Sequence, residues 1–132
     1  MKIVYRKTFL QMPKGTVFCK FPIKQESEGH NYCFEIGAPS ILDEPLKNDF
    51  LLTHLGSDLF PKSANGSDDT FEILSEMQHN LGTEVAFEHW GGRDGLYEDD
   101  NVGFAVYSRE EVQEMIDLLQ EALKNGYGEE SN

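Results

Sequence analysis

The chain has 132 residues and carries 24 acidic against 11 basic side chains, a formal net charge of −13. Neutralising phosphates takes clustered Lys and Arg, so this balance argues against a general nucleic-acid binder. A hydrophobic content of 39% with 11% aromatics is that of a folded chain, and no apolar run reaches the ~18 residues of a membrane span. No signal-peptide apolar stretch opens the chain. The expectation is a soluble, cytoplasmic protein with one globular domain over residues 1–126 and a polar tail over 127–132.

The charge is uneven. Residues 1–25 hold six bases and no acid, and the remaining 107 hold all 24 acids against five bases. Either the basic segment packs beside acidic neighbours within one fold, or the surface is dipolar and steers a partner. Cys19 and Cys33, with no CxxC and no paired histidines, read as free thiols, buried or half-buried, in a reducing compartment.

In chain order, Ile3, Val4 and Tyr5 are strand-like, and residues 8–12 fit one helical turn stopped by Pro13. Residues 16–21 alternate Val17, Cys19 and Phe21, the expected inward set, against Thr16, Phe18 and Lys20. Residues 31–36 read as a strand with Tyr32, Phe34 and Ile36 inward. Residues 40–48 read as a loop around Pro45, 50–55 as a short strand, and 56–68 as a mobile surface loop. Asp69 with Glu72 resembles a capping box, with Phe71, Leu74, Met77 (or Gln78) and Leu81 behind it and Gly82 as the terminator.

Val85, Phe87 and His89 alternate as a half-buried strand, with His89 expected as a hydrogen-bonded core residue. Val102, Phe104 and Val106 form another, joined to the first by the glycine-rich 91–101 as a long-looped hairpin. Ser108 with Glu111 is a cleaner capping box. Behind it Val112, Met115, Ile116, Leu119, Ala122 and Leu123 make one apolar stripe, closed by Lys124 and Gly126. The stripe fits either core packing or a dimer interface. The sum is an α+β fold, a bent and mostly antiparallel sheet of four to six strands with one or two packed helices and a long amphipathic C-terminal helix.

No GxSxG, P-loop, HExxH or GxGxxG motif occurs, and the four histidines are scattered, so no enzyme activity and no cofactor is expected. The densest polar stretch, 88–100, joins the single tryptophan Trp90 to Gly91, Gly92, Arg93 and five carboxylates. Glycines let amides approach an anion, an arginine forks onto phosphate, and Trp90 or Tyr97 stacks a base. A plain hairpin loop with solvated acids has the same composition. Asp94, Glu98, Asp99 and Asp100 are metal-friendly, but their spacing fails the EF-hand pattern. Lys14-Gly15-Thr16 with Arg109 at a helix start is a second phosphate candidate. The final helix offers Glu110, Glu111, Glu114, Asp117 and Glu121 as a phosphate-mimicking stripe, or simply as a solvated face.

The stretches 6–18 (RKTFLQMPKGTVF) and 93–100 (RDGLYEDD), the latter followed by Phe104-Ala105-Val106-Tyr107 and the Glu-rich helix, resemble small accessory proteins encoded by phages and prophages. The resemblance covers roughly 45 residues at the two ends. It implies action in the host cytoplasm, as an inhibitor of host immunity of the kind that includes anti-Thoeris signal sponges. The expected function is non-enzymatic sequestration of a small signalling nucleotide, cyclic or ADP-ribose-like, by a homo-oligomer. Its expected ligand-binding residues are Trp90 or Tyr107 for stacking, Arg93 and Arg109 for phosphates, and Gly91, Gly92 and Thr16 as donors. The alternative is an acidic, DNA-mimic-like inhibitor that binds a host defence protein.

Overall fold

A computed structural model of the protein describes residues 1–23, 35–95 and 102–128. Strand β1 (Lys2–Tyr5) runs directly into the one-turn helix α1 (Arg6–Phe9), and β2 (Val17–Pro22) follows. β3 (Ser40–Pro45) and β4 (Phe50–His54) form a hairpin; β5 (Leu59–Pro61) and α2 (Ser67–His79) come next. β6 (Phe87–His89), β7 (Gly91–Asp94), β8 (Val102–Val106) and α3 (Arg109–Gly126) complete the order. The main sheet has the order β1-β8-β2-β3-β4-β7, antiparallel at every pairing, and β5 pairs β6 in a separate ribbon. The fold is α+β, as expected.

Strand register assigns the faces. Val106, Phe18, Ser40 and His54 lie in one transverse row, with Phe104 and Lys20 paired in the next. Residues in such rows share a face, so Phe18, Phe104, Leu42, Leu52 and Phe50 point to one side. Phe9 of α1 packs into them, its ring stacked on Phe104 at 4.1 Å and edge-on to Phe50 at 5.2 Å. This aromatic cluster is the core. The core face of β2 is therefore that of Phe18, opposite to the Val17, Cys19, Phe21 face expected, although Val17 and Cys19 are buried as well.

The sheet is strongly bent. Lys20 on β2 reaches Asp94 on β7 at 2.9 Å although β3 and β4 lie between them. The Arg6 guanidinium likewise donates to the Gly95 carbonyl at 3.0 Å, drawing the two ends of the sheet order together. With the Met1 ammonium on Glu111, the Lys20 pair joins the basic N-terminal segment to the acidic remainder.

Several local expectations fail for identifiable reasons. Residues 40–45 are a strand, not a loop: Pro45 is its last residue, where the missing N–H costs least, and a bulge between Leu42 and Glu44 breaks the alternation. β5 lies inside the segment expected to be loop, too short for periodicity to register. The 85–89 and 102–107 strands do not form a hairpin, because β7 intervenes and pairs with β4. α2 begins after Gly66 without a side-chain cap, since Asp69 accepts instead from the Asn65 amide. Its Phe71 and Leu74 are exposed rather than packed. Residues 31–34, including Cys33, lie outside the described residues, and Glu35 and Ile36 are not strand.

Candidate functional site

The seven expected ligand residues fall into two groups. Trp90, Gly91, Gly92 and Arg93 lie at and along β7; Thr16, Tyr107 and Arg109 lie at the ends of β2 and β8. In the sheet order β2, β3 and β4 lie between β8 and β7. Among the described residues, none of the clefts described is lined by members of both groups.

Within the groups, most expected donors are occupied. The Arg93 fork closes on Asp49, with Nε donating to Oδ2 and Nη2 to Oδ1 at 3.2 Å. Asp49 is only 2% exposed, so this guanidinium balances a buried carboxylate, which in turn raises the arginine's pKa. The Thr16 hydroxyl donates to Pro13 O at 2.7 Å, and the Gly15 and Thr16 amides bond Leu42 O and Pro13 O. The Lys14-Gly15-Thr16 segment is thus turn and sheet chemistry. Tyr107 is half-buried, and that burial, with Cys19 and Glu111 nearby, pushes its phenol pKa up. Arg109 is exposed on the first turn of α3.

Gly92 is required by packing: a Cβ there would sit 2.6 Å from two atoms of the Trp90 ring. The indole lies back over its own strand. It stacks against His54 (centroids 5.4 Å, 17° between planes) and stands tilted to Phe60 at 6.5 Å. Trp90 nevertheless remains 38% exposed. It lines a cleft of about 290 Å³ with Phe60, Pro61, Glu88 and the residues Gly66 and Thr70 at the start of α2. Two aromatic rings, a carboxylate and a helix start without a side-chain cap surround this space.

A second cleft, of about 330 Å³, is lined by His54 with Lys20, Ser40, Leu52, Asp58 and Asp94 among others. The Ser40 hydroxyl and His54 Nδ1 are 2.8 Å apart, and His54 Nε2 lies 3.6 Å from Asp58. Serine, histidine and aspartate in a row suggest a nucleophile, but the geometry is unsuited to one. Ser40 is 5% exposed, and the aspartate is beyond hydrogen-bond distance. What the row does is orient: Ser40 holds the imidazole from below and the imidazole carries the indole.

The sequence pattern missed Ser40, His54 and Asp49, because only the β3–β4–β7 register brings them to Trp90 and Arg93. His89 is exposed, not a core residue, and its Nδ1 lies 3.1 Å from His54 O. Asp94 pairs with Lys20 and accepts from the Gly95 amide, while Tyr97, Glu98, Asp99 and Asp100 lie outside the described residues. No helix among the described residues is long and apolar enough to cross a membrane. No protein family matches the sequence, no curated protein is significantly similar to it, and no solved structure matches the fold.

Proposed function

We propose that this protein sequesters a small nucleotide signal without turning it over, in the manner of a phage counter-defence sponge, and that the base stacks on Trp90. The observation that carries this reading is the exposed indole, fixed by His54 and Gly92 and presented into a cleft beside Phe60. A rigid aromatic face gains stacking energy with little ordering cost. Glu88 can accept from an exocyclic amine, and the start of α2, which lines the cleft, carries the positive end of a helix dipole that would favour a phosphate.

The cleft also narrows the ligand class. At about 290 Å³ it has room for one base and sugar, with anything larger projecting into solvent. Asp68 and Asp69 in the first turn of α2, together with Glu88, oppose multiple negative charges. A cyclic mononucleotide, or one base-bearing half of a larger signal, fits best. In this reading Arg93, paired with Asp49, stands outside the lining of the cleft.

The test is a thermal-shift panel of cyclic mononucleotides, cyclic dinucleotides and ADP-ribose isomers. At about a hundred times Kd a ligand adds roughly 2.7 kcal/mol, a shift of several degrees for a domain of this size. A shift that Trp90→Ala abolishes, with ligand recovered chemically intact, supports the reading. A flat panel, or ligand consumed, overturns it.

A second reading, inhibition of a host defence protein through acidic surface, is favoured by one observation. Glu110, Glu114, Asp117 and Glu121 all stand exposed on α3. Surface charge pairing is screened, so such binding weakens steeply with salt, whereas stacking in the cleft does not.

A further inference from the structure

We infer that α3 is a homodimerisation element that pairs antiparallel with α3 of a second copy. The helix is pinned only at its first turn. There Ser108 accepts from the Glu111 amide, Glu111 accepts from the Ser108 amide, and the Met1 ammonium rests on the Glu111 carboxylate. Val112 and Met115 are half-buried, and every described residue from Ile116 onward is exposed, with Leu119 at 71%. No other described element packs along this 18-residue helix. An apolar stripe of this length left in water is an interface lacking its partner.

The partner is specified by where the charges are. Val112, Ile116, Leu119 and Leu123 follow the 4-3-4 spacing of a coiled-coil seam. The four positions flanking that seam are Gln113, Met115, Gln120 and Ala122, all uncharged. The helix acids Glu110, Glu111, Glu114, Asp117 and Glu121 all occupy outward positions. In a chain of 24 acids, a seam and flanks free of carboxylate suit a second chain equally acidic.

The direction follows from symmetry. The seam reads the same in both directions about its midpoint, so an antiparallel two-fold sets Val112 against Leu123 and Ile116 against Leu119 of the second copy. Lys124 then flanks Glu110 of the other helix. Asp117 meets its counterpart at the dyad, but at an outward position and with Gln113 donating to it at 2.9 Å. A parallel pair would leave Glu110 and Lys124 at opposite ends of the seam, with no such contact. Because each helix is anchored at its N-terminus, antiparallel pairing also holds the two acidic bodies apart by a helix length of ~27 Å.

Sedimentation velocity of the full chain across a concentration series tests this. The mass should rise from one chain to two with concentration. Leu119→Glu should leave a monomer throughout, while Leu118→Glu, equally accessible at 60% exposure but off the seam, should leave the dimer intact. Lys124→Glu should weaken association severalfold, and adding Glu110→Lys should restore it, which happens only in the antiparallel arrangement. Circular dichroism confirms that each variant remains folded. A monomer at every concentration, a dimer insensitive to Leu119→Glu, equal loss with Leu118→Glu, or no rescue by the double charge swap would each overturn the inference.

Discussion

Two apolar surfaces outside the aromatic core differ in kind. The Trp90 cleft is concave, framed by two rings and edged by a carboxylate and the first residues of α2. The α3 stripe is convex, aliphatic and without charge on its flanks. A concave surface with a few convergent polar groups selects a small molecule by shape and hydrogen bonding. A straight aliphatic seam has no such features and selects another helix. The two share no residue and lie on different parts of the fold, so each should be breakable without the other.

The largest expected effect removes both at once. Phe104→Ala empties the centre of the aromatic cluster and should cost about 3–5 kcal/mol in urea unfolding. Leu119→Ala, by contrast, should change monomer stability by no more than ~0.5 kcal/mol at low concentration. If the two losses were comparable, α3 would be packed on the body and the contrast between buried core and open seam would fail.

Next comes Arg93→Ala, which leaves the buried Asp49 carboxylate unpaired and should lower the melting temperature clearly. Adding Asp49→Asn should recover much of the loss. Ligand affinity in the Trp90 cleft, measured below the melting transition, should be unchanged. A selective loss of affinity with stability intact would return Arg93 to the phosphate-binding role that its position beside two glycines first suggests.

The smallest effect is confined to α3. The Met1 ammonium and the hydrogen bonds with Ser108 hold the Glu111 carboxyl down at about 2, against 4.5 ordinarily. A depressed carboxyl stabilises the folded state fully above its unfolded value. That contribution should disappear as pH falls from 4.5 towards 2. In an acid titration followed by the helical signal, Glu111→Gln should flatten this limb while leaving the rest of the curve. An unchanged acid limb would mean that the first turn is not what anchors the helix.

The parts of the fold that are visible in the sequence are the ones settled by near neighbours. α3 is one, because its cap lies three residues apart at Ser108 and Glu111 and its stripe repeats within two turns. β2 is another, although alternation alone could not say which face met the core, since Val17, Phe18 and Cys19 are all buried. β3 was hidden by its terminal proline and its bulge. The site was hidden more deeply. Trp90 stands out by composition, but its support comes from His54, 36 positions away, and from Ser40 beyond it, joined only through strand register. Arg93 shows the reverse case: a residue suited to phosphate is taken by Asp49, 44 positions distant, which no local pattern announces.

The most direct test of the central claim uses the single tryptophan as its own reporter. Titrating the protein with cyclic mononucleotides while recording Trp90 fluorescence should give saturable quenching as the base stacks on the indole. Filling the cleft by Gly66→Trp is unnecessary; competition between two nucleotides for the same quenching signal identifies one site. Quenching that saturates, competes and leaves the nucleotide intact is the predicted result. Fluorescence that does not change, or changes linearly without saturation for every nucleotide tried, would contradict a base-stacking site at Trp90.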